Sequence, residues 1–379
     1  MKKNLLLTPG PTQIPPEICA ALGRPIIHHR TPQFQENLKE AVAGLKYVFQ
    51  TQHDIYILTS SGTGGMEAAV SNLLSPGDKA IVVDGGKFGE RWQELCESYW
   101  IHVKVVKVEW GKVVSPDQIK ELLTAEKDTK AIFTTLCETS TGVTTDIEAV
   151  AKVVKESDAV LVVDAVSGLG VTDLKTDAWG VDVVVSASHK GLMLPPGLAF
   201  VSASPKALKL IAASKSPRYY FDLREAKKAM EKIDTPFTPA IGIVIALNES
   251  LRRIKETGLE NHLASIARLA RATRAGAQGL GLTLFPHTSR ISNALTTISL
   301  PADIDGEKLV KTMRDTYGIS VAGGQDKLKG KVIRIAHMGC IDEYDILTGI
   351  SCLEKVLHRM GHKFVLGSGV SAAQKIFNE

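Results

Sequence analysis

The chain has 379 residues, 44% of them hydrophobic and 23% charged, with a formal net charge of +4. That is enough apolar material for one large domain and a smaller one. Lys and Arg are interleaved with Asp and Glu along the whole chain, which excludes a basic block that would follow a nucleic-acid backbone, and the mild positive balance suits an anionic small substrate.

The first segment, MKKNLLLTPGPT, breaks at Pro9-Gly10-Pro11 before an apolar run of secretory length develops, and no later segment has membrane-spanning length. The cysteines Cys19, Cys96, Cys137, Cys340 and Cys352 are scattered, without CxxC or Cys/His spacing, so neither a disulfide framework nor a metal site is indicated. The expectation is a soluble, reduced, cytoplasmic protein with no membrane or nucleic-acid partner. Residues 33–49 put Phe34, Leu38, Leu45 and Val48 at helical spacing behind Pro32. Apolar, β-branched runs then predict strands over 54–59, 79–84, 102–108, 130–136, 159–166, 181–188 and 197–203. Between them lie segments that read as amphipathic helices, such as GGMEAAVSNLL (64–74) and DIEAVAKVVKE (146–156). Such alternation implies a largely parallel sheet with helices on both faces, whose ligands bind beyond the carboxyl ends of the strands.

From residue 240 the pattern changes. Helices are expected over 240–257, 259–279, 305–317 and 342–360, with strands at 294–300 and 331–336, which describes a smaller α+β domain. The expected division is a large domain over 16–255 and a small one over 256–379 joined by 1–15. The tail GSGVSAAQKIFNE (367–379) has one weak amphipathic turn and reads as loose or docked on a partner.

Three places carry candidate chemistry. Ser60-Ser61-Gly62-Thr63-Gly64-Gly65 follows a strand and opens a helix, the geometry in which free N–H groups grip a phosphate. It is not a dinucleotide fingerprint, because Glu67 takes the place of the third glycine, and a Walker lysine is missing. Alone it reads equally as a packing turn. Asp164 closes the apolar run AVLVVDAV at the carboxyl edge of the sheet, where a helix cap is the plainer reading. Lys190 lies just past VDVVVSAS, beside His189; an SxxK acylating serine is excluded by Ala187. Together a phosphate grip, a strand-end carboxylate and a strand-end amine match the needs of a pyridoxal phosphate site: anchor, partner for the ring nitrogen, and Schiff-base lysine. Glu138-Thr139-Ser140-Thr141-Gly142, at another strand end, offers hydroxyls to the ring oxygen or phosphate.

With LLTPGPT (6–12), HHRTPQF (28–34), SSGTGGMEAAV (60–70), ETSTGV (138–143), VDAVSGLG (163–170), SASHKGLMLPPG (186–197) and GKVIRIAHMG (330–339) in this order, nearly the whole chain resembles the class V aminotransferases of the fold-type I pyridoxal phosphate enzymes. The likeness is to the alanine/serine–glyoxylate or –pyruvate group. It implies a mostly parallel seven-stranded sheet in the large domain and a homodimer with shared active sites. It further implies that Ser61, Gly62 and Thr63 bind the cofactor phosphate, with His189 nearby. Phe88 would stack on the pyridine, where relatives often have Trp, Thr139 would touch the ring hydroxyl region, and Asp164 would hold the pyridine nitrogen. Lys190 would take the aldehyde, and Thr238 would reach the phosphate of the neighbouring subunit. Gly10, with Pro9, would line the substrate side, and Arg334 would clamp the substrate α-carboxylate with a bidentate fork. The implied reaction is a ping-pong transfer from alanine or serine to glyoxylate or pyruvate. His28 and His29 lie near the same mouth, as does Cys340, which is read as structural. Two alternatives stand beside this reading. One is a lyase on the same fold, such as a desulfurase, against which Phe88 argues. The other is an interaction subunit of a hydrogenase-type complex, as some relatives of the group are described.

Overall fold

A computed structural model describes residues 4–379; Met1, Lys2 and Lys3, the start of the segment assigned to the small domain, lie outside it. The β-branched runs become seven strands of one sheet: β1 (Asp54–Ser60), β2 (Lys79–Asp84), β3 (His102–Lys107), β4 (Thr129–Thr135), β5 (Val160–Asp164), β6 (Val183–Ala187) and β7 (Gly197–Ala203), in spatial order β1-β7-β6-β5-β4-β2-β3. Every pairing from β6 to β3 is parallel, and β7 runs antiparallel between β1 and β6. The expected fold, α/β with a mostly parallel seven-stranded sheet, is the one present.

Both faces of the sheet are covered, which is why its strands read as nearly unbroken apolar runs. Successive side chains alternate between two cores. Ile132, Leu161, Val184 and Phe200 face one; Phe133, Val162, Val185 and Val201 face the other. Helices α1 (Pro32–Phe49) and α4 (Ile241–Thr257) close the first core, and α2 (Gly62–Leu73) and α3 (Lys87–Ser98) close the second. The stretch containing α2 is not the amphipathic surface helix its sequence suggested. In α2 only Thr63 and Glu67 escape burial. A further layer covers its outer side, where the Asn72 amide donates to Phe221 O (2.7 Å) and accepts from Leu223 N (2.9 Å).

The C-terminal part is a four-stranded antiparallel sheet of β8 (Thr283–Leu284), β9 (Leu295–Ser299), β10 (Ala322–Gly323) and β11 (Val332–Ala336), in order β8-β9-β11-β10. Helices α5 (Leu259–Gly279) and α6 (Glu343–Arg359) share its apolar core with Ile298, Ile333 and Ile335. Leu5–Leu6 pair in parallel with Ile319–Ser320, so the N-terminal segment joins this part.

The tail is neither loose nor left for a partner. Residues Ser368–Phe377 form a helix, α7, packed on α5 and α6 within the chain. Gly276 and Gly279 open the groove it fills: a Cβ on Gly279 would lie 2.8 Å from Ser368 O. The buried Glu354 carboxylate accepts from Gly367 N, Gly369 N and Val370 N, and so satisfies the free donors at the start of α7. Among the described residues no helix is long and apolar enough to cross a membrane.

Candidate active site

Several chain segments meet at the carboxyl edge of the sheet. After β1 the chain turns at Ser61, whose extended backbone (φ −80°, ψ 172°) caps α2. Gly62 is demanded by space: a Cβ there would lie 2.8 Å from Val166 Cγ2 and 3.4 Å from Ala187 Cβ. The helix start is thereby pressed onto the ends of β5 and β6, and its first N–H groups face the same edge as Asp164 and Lys190.

Asp164 is the last residue of β5, 3% exposed, and its Oδ1 accepts from Val166 N at 2.8 Å. Burial pushes its carboxyl up to about 6, against the pull of that N–H and of the cations Lys190 and Arg91. Lys190 follows β6 by three residues and is 8% exposed. Its turn is fixed by Ser188 Oγ donating to Pro195 O (2.7 Å) and by Thr12 Oγ1 donating to Lys190 O (3.1 Å). The Lys190 ammonium donates to Pro9 O. Burial lowers the amine to about 8; Asp164 opposes this, while Arg334 and Arg91 add to it. Gly10, expected on the substrate side, lies against the lysine itself. A Cβ there would lie 2.4 Å from Lys190 Cε, and its φ of +119° is unfavourable for other residues.

Glu138 organises the next segment. Its buried carboxylate accepts from Phe88 N (3.1 Å), Gly89 N (3.1 Å), Ser140 N (3.2 Å) and Ser140 Oγ (2.5 Å). It thus sits at the start of α3 and sets the position of Phe88, while burial raises its own pKa to about 7. Ser140, expected to offer its hydroxyl to a ligand, gives it to Glu138. Thr139 is buried, and its carbonyl accepts from Arg334 Nη1 at 2.9 Å. Arg334 is no surface residue. It stands on β11 between β9 and β10, 7% exposed, with Nε donating to Gly323 O (2.9 Å) and Nη1 also to Gln325 Oε1 (3.2 Å). Burial lowers it to about 10, which leaves it charged at neutral pH. These bonds engage Nε and Nη1, so Nη2 is the group left for a ligand.

Other residues fall differently. His189 lies beside Lys190 with Nδ1 buried and unpartnered, and burial, then Lys190, lowers it to about 4, so at neutral pH it brings no positive charge. Thr238 is exposed, and α4 is capped after it at Ala240, whose N donates to Thr59 Oγ1 at 3.1 Å, just ahead of the glycine-rich turn. Thr238 shares a small cavity with Thr59, Tyr220 and Phe221 and makes no hydrogen bond to residues 61–63 of its own chain. His28 and His29 contact each other (ring centroids 4.8 Å apart). The cysteine beside the lysine is Cys137, not Cys340. It is buried, bonds Ser292 Oγ (2.9 Å) and interacts with Lys190 and Asp164; burial holds its thiol up at about 12, unlike a reactive thiol on a mobile loop. Glu138 and Arg91 were not singled out in the sequence. An open groove of about 780 Å³, lined by Tyr47, Gln50 and Leu259, shares no residue with this site.

The site thus collects a buried amine of lowered basicity, a carboxylate beside it, and cations that outnumber the charged carboxylates. An orphaned His189 nitrogen and a helix start that admits only glycine at 62 complete it. These residues fit a ligand carrying an aldehyde, a basic ring nitrogen and a phosphomonoester, the functional groups of pyridoxal phosphate.

Residues 5–340 match the model of the family described as Aminotransferase class-V. The chain is 42% identical over 380 residues to a protein of Anabaena cylindrica named soluble hydrogenase 42 kDa subunit, with 99% of each covered. It is 38% identical to the L-aspartate–glyoxylate aminotransferase of Paracoccus denitrificans, covering 100% of this chain and 97% of the relative. Among solved structures, the ureidoglycine–glyoxylate aminotransferase of Bacillus subtilis superposes with a TM-score of 0.97 at 28% identity, covering 100% of this chain and 99% of the other.

Proposed function

The chain belongs to the class-V aminotransferases and is a transaminase, and we propose that it carries the amino group of a small amino acid, alanine or serine, to glyoxylate or pyruvate. The family and fold use pyridoxal phosphate in general, and we assign that cofactor to Lys190. The observation that carries the proposal is the buried Lys190 amine beside Asp164 at adjacent strand ends. Both enzyme relatives described above are named for glyoxylate, which supports that acceptor. The hydrogenase name belongs to its own protein; a complete set of Lys190, Asp164 and Arg334 favours catalysis here over a purely binding role. A donor–acceptor matrix of alanine, serine and aspartate against glyoxylate and pyruvate tests the proposal. The highest kcat/KM should fall on alanine or serine with glyoxylate or pyruvate, and preference for aspartate would move the assignment to a dicarboxylate donor.

Each residue then has a task. Bound at Lys190, pyridoxal phosphate supplies an electron sink that makes the substrate α-proton acidic. Lys190 Nζ takes that proton as a base and returns it as an acid. With its pKa near 8, roughly a tenth of the amine is neutral at pH 7, against a far smaller fraction at the ordinary lysine value. Asp164 would keep a proton on the ring nitrogen, and Phe88 would offer its ring to the face of the pyridine. Ser61, Gly62 and Thr63 would hold the phosphate, with His189 as a neutral neighbour, and Thr139 would serve the ring hydroxyl region. Arg334 Nη2 receives the α-carboxylate, joined by Nη1 when Gln325 gives way.

Arg334→Lys should weaken every α-carboxylate substrate by roughly tenfold or more, because an ammonium cannot reproduce the planar fork. Steady-state KM for donor and acceptor checks this; unchanged values for both would remove Arg334 from the substrate.

The exposed position of Thr238 supports a dimer in which it reaches the partner's phosphate. Mixed dimers of Lys190→Ala and Thr238→Val should contain one site defective twice and one intact. Co-refolded mixtures should then exceed the summed parental activities. Strictly additive activity, with mixed dimers demonstrated, would put the whole phosphate site within one chain.

A further inference from the structure

Arg91 has no task in the scheme above, yet its guanidinium lies in the site. It stands on α3 one turn after Phe88, hence on the same face. Its guanidinium carbon is 4.9 Å from the centroid of the Phe88 ring, and Nη1 donates to Thr63 Oγ1 at 3.3 Å. Electrostatically it acts on both Asp164 and Lys190, so its charge faces the strand ends rather than solvent alone. Nearby cations are paired: Lys87 with Glu90, and Lys107 with Asp84. Arg91 forms no ion pair among the described residues. Lys190, Arg334 and Arg91 thus bring three cations to a cluster whose carboxylates are Asp164 and Glu138, an excess of positive charge.

We propose that Arg91 is a further phosphate-binding residue, gripping the phosphomonoester of the cofactor together with Thr63 and the N-terminus of α2. The assignment rests on pyridoxal phosphate being the cofactor. A guanidinium offers paired donors to phosphate oxygens and stays charged, which a hydroxyl and backbone N–H groups do not. The tie to Thr63 aims it at the position where the phosphate lies. Its place over Phe88 joins the phosphate end of the site to the ring end.

The test compares ligands with and without the phosphate. Apoprotein is titrated with pyridoxal phosphate and with pyridoxal, followed by absorbance, for wild type, Arg91→Gln and Arg91→Lys. Arg91→Gln should bind pyridoxal phosphate roughly tenfold or more weakly, as expected for losing a charge-assisted bond. Pyridoxal affinity should stay within about twofold of wild type, and Arg91→Lys should fall between the two. Inorganic phosphate should raise the melting temperature of wild-type apoprotein more than that of Arg91→Gln. Equal weakening of both aldehydes would make Arg91 a support for Phe88, and unchanged binding of both would take it out of the site; either result overturns the proposal. Failure of the wild-type apoprotein to take up pyridoxal phosphate would defeat the cofactor reading itself, and this assignment with it.

Discussion

Lys190→Ala is expected to abolish transamination, by at least about four orders of magnitude, since on the proposed assignment the variant loses both the cofactor attachment and the proton carrier. The bound cofactor should also lose the absorbance band that belongs to its Schiff base with the lysine. The fold should survive. Lys190 is a buried cation whose burial already disfavours its charge, and the turn around it is held by backbone and hydroxyl bonds of Ser188 and Thr12 that alanine retains. A melting temperature close to wild type, with negligible turnover and partial rescue by a small primary amine, is the predicted pattern. Turnover at the wild-type rate would show that the amine is a buried structural group.

Asp164→Asn should lower kcat by on the order of 10³-fold or more, because on the proposed assignment the carboxylate charge that would keep the ring nitrogen protonated is gone. Asparagine has nearly the same shape and can still accept the Val166 N–H through its carbonyl. The turn after β5 therefore survives, and cofactor affinity should change far less than kcat. Asp164 also stabilises charged Lys190, so the variant should shift the acidic limb of the rate profile, along which Lys190 becomes the neutral base, to lower pH. That direction follows because an ammonium that loses a neighbouring anion gives up its proton more readily. A loss below about tenfold, with the profile unmoved, would reduce Asp164 to a capping group.

Much of this was legible in the chain. Runs such as AVLVVDAV and VDVVVSAS carry their own strand signal, and side chains that follow a strand are delivered to its carboxyl edge whatever the helices do. That is why Asp164 and Lys190 could be read together. What was not legible depends on partners far along the chain. Glu138 matters because Phe88 N and Gly89 N, some fifty residues earlier, point at it. Arg91 sits in an ordinary-looking helical turn, and only the packing of α3 against the glycine-rich loop turns it toward Thr63. The tail helix needs the groove at Gly276 and Gly279 and the Glu354 carboxylate, neither of which its own weak periodicity reveals.

The most direct measurement of the central claim is a single half-reaction. Purified cofactor-loaded protein is mixed with serine or alanine carrying a labelled amino nitrogen, first without and then with glyoxylate. A transaminase releases one 2-oxo acid per active site and then stops, and added glyoxylate restarts it, with the label appearing in glycine and none as free ammonia. Continuous release of labelled ammonia in the absence of any acceptor, or no product at all from a protein that holds its cofactor, would contradict the account.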